Sequence, residues 1–150
     1  MDKKALQRII KDYFTTFAKQ YNFVFYKSTV LLRVCEDTLH IINFDLPSDG
    51  LNCNIAIQPL YIPSDTITLS FGNRLNHFKT KLPGAWGYSN DKKDIERDLS
   101  QIKELLEINA IPWFNEVGRP EGIISFIESG LVEDINIIVG FPSIFRNMYL

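Results

Sequence analysis

TLHIINFDLPSDGLNCNIAIQ, residues 38–58, decides the fold. Two runs, Thr38–Asp45 and Leu51–Gln58, are parted by Pro47-Ser48-Asp49-Gly50, four residues that each favour a turn. In the second run Leu51, Cys53, Ile55 and Ile57 take one face and Asn52, Asn54, Ala56 and Gln58 the other. That period of two is the signature of a strand. Strands joined by so short a connection pair antiparallel. Matching their faces sets Phe44 opposite Cys53, Ile42 opposite Ile55 and His40 opposite Ile57. The same register then puts Asp45 beside Asn52 and Asn43 beside Asn54 on the other surface.

Working towards the N-terminus, Thr29–Cys35 (TVLLRVC) and the aromatic stretch Phe23–Lys27 predict two further strands. Glu36-Asp37 is read as the tight turn before Thr38, without the glycine that a two-residue hairpin prefers. Through that turn Arg33 neighbours His40 on the apolar face. Before the strands, Leu6, Ile9, Ile10, Tyr13, Phe14 and Phe17 line one side of a helix over Lys3–Lys19 that stops near Gln20–Asn22.

Towards the C-terminus, a weaker fifth strand is predicted over Thr66–Phe71, after Pro59 and Pro63, with an irregular segment from Gly72 to Asn90. A helix capped by Asn90 or Asp91 follows, burying Ile95, Leu99, Ile102, Leu105 and Leu106 and leaving Glu96, Glu104 and Glu107 on its charged outer face. Pro112 forces a kink or restart. Glu121–Glu128 reads as another short helix; Val132–Val139 suits strand as well as helix, and Ser143–Leu150 a last helical turn. Helix, strands, helices in that order give an α+β fold: an N-terminal helix, an antiparallel meander of four to five strands, and C-terminal helices packed on the sheet. With no repeat or linker, residues 1–150 form one domain.

The 150 residues are 45% hydrophobic and carry 16 Lys+Arg against 18 Asp+Glu, a net charge of -2. Disorder is excluded by that composition, and nucleic acid as main partner by the lack of concentrated positive charge. No apolar run reaches the ~20 residues of a membrane span, and nothing resembles a signal segment, so a cytoplasmic protein is expected. Cys35 and Cys53 lie in alternating apolar stretches and read as small buried hydrophobes.

Motifs that carry chemistry are few. Asp45–Gly50 echoes a calcium loop but has Pro47 at its third position and Ala56 at its twelfth, which rules calcium out. His40 and His77 lack the repeated short spacing of metal ligands, and no nucleophile or phosphate-loop motif occurs. No catalytic residue, metal or cofactor is therefore assigned. Asn43, Asp45, Asn52 and Asn54 form a polar patch that either binds a polar ligand or partner or is simply the solvated outer face of the sheet, and the solvated face is expected. Arg74, Trp86 and Tyr88, in a glycine-rich segment, are residue types that dominate protein interfaces.

The strand ending at Ile57 with its proline-bearing extension, then Gly72-x-Arg74-Leu75, Trp86 and a helix running into Pro112-Trp113-Phe114, resembles a family of small uncharacterised bacterial proteins, a domain of unknown function. The likeness extends to about Glu128; this chain has the single Trp86 where many relatives carry paired tryptophans. It implies a small α+β domain, and some similar proteins are thought to be immunity partners of polymorphic toxins. The expectation is thus a non-catalytic protein-binding module, which the resemblance narrows to an immunity protein that neutralises a toxin, touching its partner through Arg74, Trp86, Tyr88 and the Asn43/Asp45/Asn52/Asn54 patch. The alternative is a small-molecule binder or enzyme with a pocket between the sheet and residues 72–90.

Overall fold

Asp2 starts the first helix: its carboxylate accepts from the Ala5 N–H at 2.7 Å, satisfying one of the orphan donors of the first turn. The helix, α1 (Lys3–Tyr21), ends where Asn22 adopts a left-handed φ of 63°. The structure, a computed structural model, describes residues 2–46, 50–60, 71–75, 91–122 and 124, with only the backbone for 71, 73 and 74.

Five strands follow: β1 (Val24–Lys27), β2 (Val30–Cys35), β3 (Thr38–Asp45), β4 (Asn52–Pro59) and β5 (Phe71–Arg74). They lie in the order β1-β2-β3-β4-β5, each antiparallel to its neighbour. The predicted pairing holds throughout: Phe44 faces Cys53, Ile42 faces Ile55, His40 faces Ile57, and Arg33 faces His40. Without a glycine, the β2–β3 turn places Glu36 at a left-handed φ of 53°, and the Thr38 hydroxyl donates to the Cys35 carbonyl at 2.7 Å across it.

The fifth strand differs from expectation. It spans Phe71–Arg74, taking in Gly72, which the sequence had suggested was irregular. Gly72 pairs with Ala56, and a Cβ on Gly72 would come within 2.6 Å of the Ala56 Cβ. The glycine that reads as a strand breaker is the residue that lets this strand approach. Residues 66–70 of the predicted strand, and everything predicted from Val132 onward, lie outside the described residues.

α2 (Lys92–Leu105) is capped by Asp91, whose carboxylate accepts from the Lys93 N–H at 2.9 Å. It widens into a π-helical segment, Leu106–Ala110, that runs without a break into α3 (Ile111–Val117); Pro112 follows helical residues there, so its missing N–H removes a bond from the helical ladder where the segment is widened rather than forcing a restart. One side of the sheet packs on these helices: Phe14 and Phe17 of α1, Leu99 of α2 and Phe114 of α3 are fully buried with Leu31, Ile42, Ile55 and Ile57. Among the described residues, no helix is long and apolar enough to cross a membrane.

Candidate functional site

The face of the sheet turned away from α1, α2 and α3 carries the side chains that alternate with the core. One row across it runs Val30, Asn43 and Asn54, on β2, β3 and β4, and the backbone of Arg74 on β5 pairs with Asn54. The adjacent row sets Asp45 beside Asn52. Strand β5 therefore brings Arg74, assigned from the sequence to a separate loop group, into register with the asparagine patch. Trp86, Tyr88 and His77 lie outside the described residues, as does most of the segment on which a sheet–loop pocket was expected.

This face is not the solvated surface expected of it. Asn52 is 5% exposed and Asn54 6%; Asn43 is half-buried and only Asp45 is open to water. Every residue of β4 is buried, so its alternation separates two covered faces rather than core from solvent. The Asn52 and Asn54 Oδ1 atoms are also buried with no hydrogen-bond partner. Each such acceptor, desolvated and unpaired, costs about 1–3 kcal/mol.

Further along the same face the cover ends. Leu39, Ile41 and Ala56 are buried, Val30 and Leu32 half-buried, and Val24, Tyr26 and Val34 are 65%, 59% and 67% exposed. Val24 pairs with Leu32 and Leu32 with Ile41, so an apolar stripe climbs from buried β3 to an open edge at β1. Between Phe25 and Lys27 the β1 register shifts, a bulge of the kind found at sheet edges. Lys27 stands at one end of the stripe, its ammonium 5.7 Å from the Tyr26 ring, and exposed Glu36 and Asp37 stand at the other.

On the helix-bearing face His40 anchors a polar cluster. The Arg33 Nε–H donates to His40 Nδ1 at 3.1 Å, so Nε2 carries the proton and donates to the Gly118 carbonyl at 2.8 Å. The Thr38 hydroxyl reaches the same carbonyl. The ring stacks on Phe114, centroids 4.8 Å apart and planes 11° from parallel. Arg33 also donates to the Tyr21 carbonyl at 3.0 Å and the Asn115 Oδ1 at 3.3 Å, and lies over the Phe23 ring at 4.7 Å. Burial pushes the His40 imidazole down to about 4; the bond to Gly118 opposes that, and the charges of Arg33 and Arg119 reinforce it. A neutral histidine with both ring nitrogens engaged is a tie between the sheet and the end of α3, not a base waiting for substrate.

Nearby, the Tyr21 hydroxyl donates to Glu107 at 2.6 Å, which raises the phenol above its ordinary range. Glu107 is thus not part of a purely solvated helix face: the π-helical segment turns it towards α1. The sequence pointed to the Arg33–His40 pair but not to Gly118, Tyr21 or Glu107, whose separations of 78 and 86 residues leave no local signal. Cys53 is buried as expected, whereas Cys35 is only partly so. Among the described residues, no group of three His, Cys, Asp or Glu side chains could hold a metal ion.

No protein-family model matches the chain, and neither a curated protein nor a solved structure matches it.

Proposed function

We propose that this chain is a non-catalytic protein-binding module that docks a partner protein on the open part of the sheet face turned away from α1, α2 and α3. The observation that carries this reading is the continuous apolar stripe ending in Val24, Tyr26 and Val34, each more than half exposed. Isolated exposed apolar residues need no explanation, but three on one face, joined through Leu32 to a buried cluster, form a surface suited to recognition. The stripe is bipolar, with Lys27 at one end and Glu36 and Asp37 at the other. It fits a partner that presents apolar side chains flanked by an acidic group against Lys27 and a basic one against Glu36–Asp37.

The narrower reading, an immunity protein occupying a toxin, rests on the family resemblance and predicts that the partner is the product of the adjacent gene. Co-purification of the two products tests both levels. A complex that Val34→Asp dissolves supports the docking surface, and relief of toxicity on co-expression supports immunity. Failure to form a complex overturns the immunity reading. A wild-type chain that self-associates through this patch, as seen by light scattering, overturns the docking of a different protein.

A further inference from the structure

We propose that the outer face of α1 is a docking surface for an acidic peptide segment of a partner protein. Averaged along the chain, positive charge is not concentrated, but α1 gathers it: five lysines and arginines stand against the single acid Asp12, in a chain whose net charge is -2. Lys4, Arg8, Lys11 and Lys19 recur at helical spacing, with Thr15 between the last two, so they share one face in a row about 22 Å long. All four are exposed. Among the described residues the ion pairs are Lys92–Glu96 and Arg97–Asp94, both within α2, so no described carboxylate neutralises a cation of the row. Asp12 stands off the row, lining a hollow that it shares with Lys92 and Glu96 of α2.

This placement works against the free helix. Lys3 and Lys4 occupy a first turn that holds no acid, at the end where the helix dipole is positive and cations destabilise. Arg8 repeats the charge of Lys4 one turn on, and like charges at that spacing repel. Carboxylates brought to the row by a partner relieve both. An acidic peptide also fits better than other polyanions. Three of the four cations are lysines, which lack the fork that a guanidinium offers to phosphate. The uncharged member of the row, Thr15, has its hydroxyl bonded back to the Lys11 carbonyl at 2.8 Å and offers no ring on which a base could stack. A bilayer calls for apolar side chains beside the basic ones, and the exposed Val24, Tyr26 and Val34 lie on the other side of the sheet from α1. The row is therefore separate from that docking stripe, and neither reading depends on the other.

The test is an NMR titration of the full chain with hexaglutamate, set beside hexathymidylate and phosphatidylserine vesicles. Saturable shifts centred on α1 are expected with hexaglutamate, and they should weaken as salt is raised. Arg8→Gln/Lys11→Gln, at exposed positions and with a good helix former in each, should weaken binding at least about fivefold. Lys93→Gln/Arg97→Gln takes equal charge from α2 and should leave binding within about twofold of wild type. Lys4→Glu should weaken binding and at the same time raise the melting temperature of the free protein, a combination that a purely structural lysine would not give. Absence of saturable shifts, shifts centred elsewhere, or equal losses in the two double variants overturns the proposal. Tighter binding, per anionic group, of hexathymidylate or of the vesicles also overturns it, and assigns the row to nucleic acid or to a lipid surface.

Discussion

Arg33 holds His40 in its neutral form: the guanidinium Nε–H donates to His40 Nδ1 at 3.1 Å, which leaves that nitrogen no place for a proton. The other ring nitrogen donates to the Gly118 carbonyl at 2.8 Å. The unfolded chain is free to take a proton near pH 6.5, whereas the folded one resists until about 4. Between those values the unfolded state binds more protons, so stability falls as the solution is acidified and is fully present above 6.5. The difference corresponds to roughly 3 kcal/mol. Urea midpoints measured from pH 7 to pH 4 should fall for the wild type and much less steeply for His40→Gln; parallel curves would contradict the assignment.

Gly118 is the other half of that tie. A Cβ there would strike the Phe114 carbonyl and the edge of the His40 ring, with Cδ2 at 2.9 Å. The backbone φ of -75° is ordinary, so the cost is steric alone. Gly118→Ala should lose roughly 1–3 kcal/mol in denaturant unfolding, and truncating the ring in a His40→Ala/Gly118→Ala double variant should recover part of the loss.

Asn54→Leu should stabilise the free protein. It removes an acceptor that is desolvated and unpaired, and replaces it with a side chain of similar shape facing buried neighbours. A gain of about 1 kcal/mol in thermal or chemical unfolding is expected; a loss of that size would mean that the amide makes bonds the fold needs.

Val34→Asp and Tyr26→Ser should change stability by no more than about 0.5 kcal/mol, as substitutions at exposed positions ordinarily do. Both residues are more than half exposed, and neither is part of the buried cluster on this face. A large drop in melting temperature would assign them to the core and remove them from any interface.

Cys53 is fully buried, and burial alone pushes its thiol up, so it should not react with iodoacetamide in the native state. Half-buried Cys35 should label first, and Cys53 only in step with global unfolding; mass spectrometry of the timed digest distinguishes the two.

Strand pairing was legible in the sequence because a slip of one residue would have turned Phe44, Ile42 and Ile55 away from the helices. The helix stop at Asn22 and the cap Asp91 follow from local chemistry and stand at the positions their neighbours imply, whereas the Asp2 cap was not read from the sequence. Strand β5 runs on past Phe71, where the prediction ended, because Gly72 looks like punctuation until Ala56 is seen beside it. The asparagine face was misjudged for a related reason: polar side chains at alternate positions signify solvent only where nothing covers them, and Asn52 and Asn54 are covered. The exposed stripe was missed because Val24, Tyr26 and Val34 look the same in sequence as Phe25 and Leu31, the core-facing apolar residues of the same two strands.

The measurement that bears most directly on the recognition reading is the affinity of the purified chain for the product of the adjacent gene, with wild type and Val34→Asp measured side by side. The account predicts a stable complex for the wild type, at least about tenfold weaker binding for the variant, and matching melting temperatures for the two free proteins. Equal affinities for wild type and variant, or no complex with the wild type, would contradict it.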